Sequence, residues 1–429
     1  MKSTSKFRSL LAAAVITVNL ALTLAASAQA QTEKVLHTFS GIPDGQYPTG
    51  GLLRNSAGNL YGITSEGGAS GCGFAGCGAI FESSLLAGQW TEKILYAFPG
   101  GAGGSQPEGN LVADTAGNFY GVTDVGGSAH GLVYELIHNS DGSWTPSVLY
   151  TFTGGSDGAN PIVGLVFDKA GNLYGTTQFG GDTSCGFSGC GVVFELSPTT
   201  SGPWNETILH TFEGSDGEDP QAPLIFDAAG NLYGSTAEGG TVSSSCSIGC
   251  GVIFKMTRSS SGSWTQKIIH TFNGSNGGGP MGNLIFDSAG NLYGTASYGG
   301  NVADCDKDGC GLVFELSLTS GVWKQIREFS FNGTNGATPY AGLTLSSAGH
   351  IVGTTYAGGN LSCATSGCGV VFRLTPTATS WTEQVLHVFG STNDGLKPAA
   401  TVILDPKGNI YGTTVFGGEN YGTVFEVTP

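Results

Sequence analysis

The sequence predicts an all-β protein: a seven-bladed β-propeller of four-stranded antiparallel blades, closed by an N-terminal strand that completes the last blade. Three observations lead there. One short block recurs seven times at a nearly constant interval, each interval holds four short apolar runs, and the first and last runs of the chain are complementary parts of one unit.

The block reads Asn59-Leu60-Tyr61-Gly62 and returns at Asn118, Asn172, Asn231, Asn291, His350 and Asn409, with successive starts 59, 54, 59, 60, 59 and 59 residues apart. A period this long and regular is an architecture rather than a local motif. The third unit shows its runs plainly: "GLVFD" from Gly164, "NLYGTT" from Asn172, "GVVFEL" from Gly191 and "NETILHTF" from Asn205. Short runs rich in Val, Ile, Phe and Tyr, bounded by Gly, Asn, Asp and Pro, read as strands. The link Asp168 to Asn172 supplies the side-chain acceptor and the glycine of a tight hairpin. No segment keeps a helical period.

Tryptophan marks the entrance to six fourth strands, at Trp90, Trp144, Trp204, Trp264, Trp323 and Trp381. The seventh fourth strand is the N-terminal "TEKVLHTF" from Thr32, whereas the last unit stops after its third strand, "GTVFEVTP". Pairing residues 32–39 with the strand around Val424 to Glu426 closes a ring without exposed edges, which an open array would not achieve.

Residues 1–30 read as a signal peptide: Lys2, Lys6 and Arg8, an apolar run from Leu10 to Ala25, then Ala28-Gln29-Ala30. The expected mature chain, residues 31–429, is one propeller domain in a secreted protein, extracellular or periplasmic, with no transmembrane segment. Cleavage removes three positive charges and no acid, so the net charge moves from −16 to −19. That balance excludes nucleic acid and anionic membranes as partners. Glycine at 73 residues and charged residues at 11% mean many turns and few surface helices.

The "GNLYGTT" block, the double glycine after it, "GVVFEL" and "ILHTF" together resemble the GloVer tandem repeat of exported bacterial proteins, over residues 32–429. The resemblance implies export and a surface or extracellular role, and no catalytic residue comes with it. Anchored members of such families carry a sorting signal after the last repeat, which this sequence does not show.

The ten cysteines form five close pairs, Cys72/Cys77, Cys185/Cys190, Cys246/Cys250, Cys305/Cys310 and Cys363/Cys368, all expected between second and third strands. An exported protein meets oxidising conditions, so these predict disulfides that staple the longer hairpins, each worth about 2 kcal/mol in the chain-entropy account. Zinc would need four converging ligands, and each pair belongs to a different blade. One of these loops has acids at alternate positions, Asp304, Asp306 and Asp308, followed by Gly309, with Glu315 at the twelfth place. The spacing is that of a calcium loop. The alternative is a solvated acidic turn, because Glu315 repeats the strand position of Glu82, Glu135, Glu195 and Glu426.

Six of the loops from a fourth strand to the next blade read Asp-Gly or Asn-Gly followed by proline, as at Asp44-Gly45 with Pro48 and Asp216-Gly217 with Pro220. This is turn chemistry. In a four-stranded blade these loops and the cysteine hairpins share one face of the disc. Function is expected on that face where the blades differ, at the end of the second strand: Glu66, Asp124, Phe179, Glu238, Tyr298, Tyr356 and Phe416. Aromatic rings beside carboxylates suit a glycan or a peptide. His37, His210, His270 and His387 share one repeated strand position and read as structural.

The leading expectation is therefore a monomeric binding or interaction module without a certain cofactor. A second reading is a glycan hydrolase or lyase using paired carboxylates such as Glu66 and Glu238. A third is a structural module of the cell envelope. The sequence shows no nucleophile motif, phosphate loop or linear metal triad.

Overall fold

Each recurring block earns its residues in the same way, visible in the third blade. In the computed structural model, Asp168 caps the hairpin: its Oδ1 accepts the N–H groups of Ala170 and Asn172, and its Oδ2 accepts from the Asn172 side chain and from Tyr174 Oη. Leu173 and Tyr174 are buried. Gly175 is glycine because Phe194 of the neighbouring strand lies where a Cβ would stand, and the same clash recurs at Gly234 beneath Phe254.

The structure describes residues 32–429 except 201, 244–245, 301–304, 306–307, 364–365 and 391–393. The expected signal peptide, residues 1–30, lies outside the described residues, and so do Asp304 and Asp306. The described chain belongs to one compact unit.

Seven blades of four antiparallel strands follow one another; six are separate four-stranded sheets, and the first is widened to a six-stranded sheet by two short strands of its loop face, one of which pairs parallel. In the third blade the strands run Val166–Phe167, Leu173–Thr177, Val192–Ser197 and Asn205–Thr211, in that spatial order. Most innermost strands are only two residues long, because the chain before them turns inward to line the axis. Among the described residues there is no α-helix, only three short 3-10 turns, and no helix long and apolar enough to cross a membrane.

The ring closes as the sequence predicts. Thr32–Thr38 pairs antiparallel with Thr423–Thr428, with Val35 opposite Phe425 and His37 opposite Val424. The closing strand is thus the outer strand of the seventh blade, beside Ile410–Thr414 and Ile403–Leu404.

Blades adhere through aromatic pairs. The phenylalanine ending each outer strand meets the third-strand ring of the next blade edge-on: Phe39 with Phe81, Phe152 with Phe194, Phe212 with Phe254 and Phe389 with Phe425, at centroid distances of 5.1 to 5.3 Å. Edge-to-face geometry sets the positive ring edge against a negative face. A second contact sets the tryptophan of one blade against the block tyrosine of the previous one, as Trp264 on Tyr174 and Trp381 on Tyr293. The interface between the sixth and seventh blades lacks both partners, since Val352 replaces the tyrosine and no tryptophan opens the closing strand.

All five cysteine pairs are disulfides, and no free cysteine remains among the described residues. Cys77 corrects the expectation that every cysteine lies in the connection between second and third strands. It is the second residue of the third strand itself, Gly76–Leu86, and is fully buried in the core with Phe98 and Leu132. The reason is a short parallel ladder, Gly67 with Gly76 and Gly68 with Gly78, which begins that strand before the cysteine. Cys190, Cys250, Cys310 and Cys368 are equally buried but end two residues short of their third strands. Each staple therefore ties a loop to the core rather than joining two exposed loop positions.

The cysteine hairpins also reach beyond their own blades. The carbonyls of Cys190, Cys250, Cys310 and Cys368 accept the backbone N–H groups of Asp219, Gly279, Thr338 and Lys397 in the next blade.

Candidate functional site

Those four acceptor-held residues belong to a ring of seven that immediately precede proline: Tyr47, Gln106, Asn160, Asp219, Gly279, Thr338 and Lys397. All adopt left-handed backbone, with φ between 53° and 59°. For a residue with a Cβ this conformation costs about 1 kcal/mol, and it persists only where the surroundings enforce it. Here the N–H is held by the preceding blade, and the carbonyl accepts from the second strand of its own blade, as Asn160 O does from Gln178 and Thr338 O from Tyr356.

The strained turn aims the residue after proline at the axis. Thr49, Glu108, Ile162, Gln221, Met281, Tyr340 and Ala399, one from each blade, line a single cavity of about 500 Å³. Glycines and small residues next in line, among them Gly109, Gly282 and Ala341, form its narrower wall.

The cavity is chemically lopsided. On one arc Glu108 Oε2 accepts from Thr49 Oγ1 at 2.7 Å, and Asp124 Oδ1 accepts from Asn160 Nδ2 at 2.9 Å. Desolvation by the cavity wall pushes the Glu108 carboxyl up to about 7; the Asp124 charge adds to the rise, and the Thr49 hydrogen bond opposes it. Gln221 follows on the same wall and donates to Asp219 at 2.6 Å. On another arc Tyr340 packs against Tyr356 with centroids 5.1 Å apart, and Lys397 Nζ stands 4.7 Å from the Tyr356 ring centre. Such a cation over a ring face holds the ring and leaves a positive charge at the rim.

The seven residues expected from the sequence divide accordingly. Asp124 lines the cavity, and Tyr356 reaches it through Tyr340. The other five face the incoming loop of their own blade and do not line it. Glu66 accepts from Gln46, Phe179 pairs with Ala159, Glu238 with Glu218, Tyr298 with Gly278 and Phe416 with Leu396, while the Phe416 ring also meets Tyr47 of the first blade edge-on at 5.4 Å. Glu66 and Glu238 each pair with a loop of their own blade, the first and the fourth. Tyr298 lines a second hollow on the loop face with Asp308 and Tyr340. Of the expected calcium ligands, only Asp308 lies among the described residues.

The axial ring is not among the residues expected from the sequence, although a signal is present there. The position after proline differs in all seven units, Thr, Glu, Ile, Gln, Met, Tyr and Ala, inside an otherwise repeated stretch. The repeated histidines are partnered as expected: His37 with Asp44, His210 with Asp216, His387 with Asp394 and His270 with Asn276.

Glu108 makes one pH dependence testable. Its folded value lies above the ordinary 4.5, so the folded state holds the proton more tightly than the unfolded chain. The stabilisation is complete below pH 4.5 and is lost as pH rises through about 7. Glu108→Gln is expected to melt higher than the parent at pH 8 and without that advantage at pH 4. Equal differences at both pH values in thermal melts would contradict the burial of this carboxyl.

Fold and mouth together define the class: a closed, disulfide-braced propeller with a ligand-sized opening along its axis. The Gloeobacter/Verrucomicrobia repeat matches residues 22–188, 128–366 and 307–429, and the chain belongs to that family. No curated protein matches it. Similar solved structures include a nidogen/laminin complex, at 13% identity over 74% of this chain and 91% of that one, with a TM-score of 0.42. A Lactobacillus plantarum protein is 14% identical over 81% and 87%, with a TM-score of 0.48. A luciferin-regenerating enzyme is 10% identical over 93% and 95%, with a TM-score of 0.44. At these levels nothing of their binding or activity transfers.

Proposed function

We propose that the protein is an exported binding module that takes a hydroxyl-rich ligand, a glycan segment or a polar peptide, at the axial mouth of its loop face. The observation that carries this reading is the post-proline ring: seven equivalent positions, held by a repeated strained turn, carry seven different side chains around one cavity. Carboxylates on one arc accept hydroxyl hydrogen bonds, and the Tyr340 ring covers an apolar sugar face. The signal-peptide pattern and the five disulfides support export.

The test is a glycan and peptide array probed with the parent, Tyr340→Ala and Asp124→Asn, with and without calcium. Either substitution is expected to weaken the selected ligand about tenfold, as one lost stacking or hydrogen-bond contact near ~1.4 kcal/mol implies. Unchanged binding in both variants would overturn the axial assignment. Calcium at Asp304, Asp306 and Asp308 is part of the proposal, and an unchanged melting temperature in chelator would remove it.

The raised Glu108 carboxyl beside Asp124 favours a second reading, glycoside hydrolysis with Glu108 as the acid. It predicts new reducing ends from the selected glycan, lost in Glu108→Gln.

A further inference from the structure

We propose that the closing strand is clasped by two sites for a first-row divalent cation, Glu33 with His387 and Asp394 on one flank, and His37 with Asp44 and Glu92 on the other. In each trio one imidazole nitrogen and two carboxylate oxygens all lie within 4.8 Å of one another. Both sites sit between blades. Glu33 and His37 belong to the same strand, Thr32–Thr38, so that strand gives one ligand to each site.

The internal repeats provide the comparison. Equivalent positions at the other interfaces read Tyr96 and Pro146; Tyr150, Asp157 and Glu206; His210, Asp216 and Gln266; His270, Asn276 and Gln325; and Phe329, Asn335 and Glu383. Histidine, aspartate and glutamate occur together only on the two flanks of the closing strand. Where the histidine is replaced, the glutamate finds a protein partner: Glu206 accepts from Tyr150 Oη at 2.8 Å and Glu383 from Asn335 Nδ2 at 2.7 Å. Glu33 and Glu92 accept no hydrogen bond from the described residues. Glu33 Oε1, Glu92 Oε1 and Asp44 Oδ1 are buried without a partner, as are Glu206 Oε1 and Glu383 Oε1, but those two glutamates are held through Oε2, whereas Glu33 and Glu92 meet only an imidazole and an aspartate carboxylate. No lysine or arginine forms an ion pair with either trio among the described residues. Two carboxylates turned toward one imidazole, with no basic side chain between them, are arranged for a cation.

The ligand set selects its class. One imidazole and two carboxylates suit Zn²⁺ or Mn²⁺, whereas Ca²⁺ prefers six or more oxygens and Mg²⁺ retains most of its water. Around a tetrahedral zinc, ligand atoms stand about 3.4 Å apart. His37 and Asp44 are already 3.2 Å apart, and His387 and Asp394 3.0 Å, so only the glutamates need to swing inward. The clasp falls where the covalent chain is interrupted and where one interface lacks its Tyr–Trp contact, so metal binding and ring closure are coupled.

The test is zinc titration of untagged, chelator-stripped protein at pH 7.5, read by calorimetry, by metal analysis after gel filtration and by thermal melting. We expect two equivalents of Zn²⁺, one in Glu33→Gln, one in Glu92→Gln and none in the double variant, with a melting temperature that rises on adding zinc to the parent and not to the double variant. Gln266→Glu, which completes the trio at His210 and Asp216, is expected to gain a third equivalent. No zinc above the buffer blank, a stoichiometry unmoved by these substitutions, or retention of Ca²⁺ or Mg²⁺ in place of Zn²⁺ would overturn the proposal. All ten cysteines are in disulfides, so thiols do not compete for the probe.

Discussion

A chain that starts at Phe39 instead of Thr32 is expected to lose its sharp unfolding transition and to associate through the exposed edge of Thr423–Thr428. The strand it lacks supplies six registered pairs and buries Leu36 against the seventh blade. Losing that burial, with the partly covered Val35 and His37, costs roughly 4–6 kcal/mol. An unpaired, Val- and Phe-rich edge then recruits other chains. Thermal melting and light scattering of the truncated chain check this, and a synthetic peptide spanning residues 32–38 is expected to restore the transition. A truncated chain that melts like the parent would show that the ring does not depend on its closing strand.

The second large effect lies between blades. Phe254 is fully buried, meets Phe212 edge-on at 5.3 Å and covers the Cα of Gly234. Phe254→Ala removes its contacts with both the third and fourth blades and leaves a cavity that close-packed sheets cannot collapse. The expected loss is about 3–5 kcal/mol in urea titrations. Gly234→Ala attacks the same contact from below, since the new methyl falls on the Phe254 ring. The two losses should not add, because removing the ring makes room for the new methyl. Additive losses would mean that the ring and the glycine do not share one contact.

Much of this fold is written in local chemistry. The hairpin aspartate, the block glycine under its phenylalanine and the paired cysteines each solve a problem inside one blade, so each recurs where a reader can see it. Cys77 shows the limit of that legibility: its pairing follows from spacing, but its place inside a strand depends on a glycine ladder that only the folded blade reveals. Closure was legible because the two ends of the chain are visibly parts of one unit. The lining of the axial cavity was less so, for a reason of strand geometry. Asp124 and Tyr356 stand two residues before the double glycine, whereas Glu66, Phe179, Glu238, Tyr298 and Phe416 stand one before it. A shift of one residue along a strand moves a side chain to the opposite face. Only the first two therefore approach the axis, and the remaining five meet their own incoming loops. The glutamate, histidine and aspartate trios were hidden differently: their members come from separate segments, and Glu33 meets His387 only because the ring is closed.

The backbone bonds from the cysteine loops to the residues preceding proline have a further implication for how such proteins diversify. The wall of the axial cavity in one blade is propped by the hairpin of the blade before it. A transplantable unit of that wall thus straddles two sheets, running from a cysteine hairpin to the second strand of the following blade, and a graft cut at the visible sheet borders would separate each lining residue from its prop.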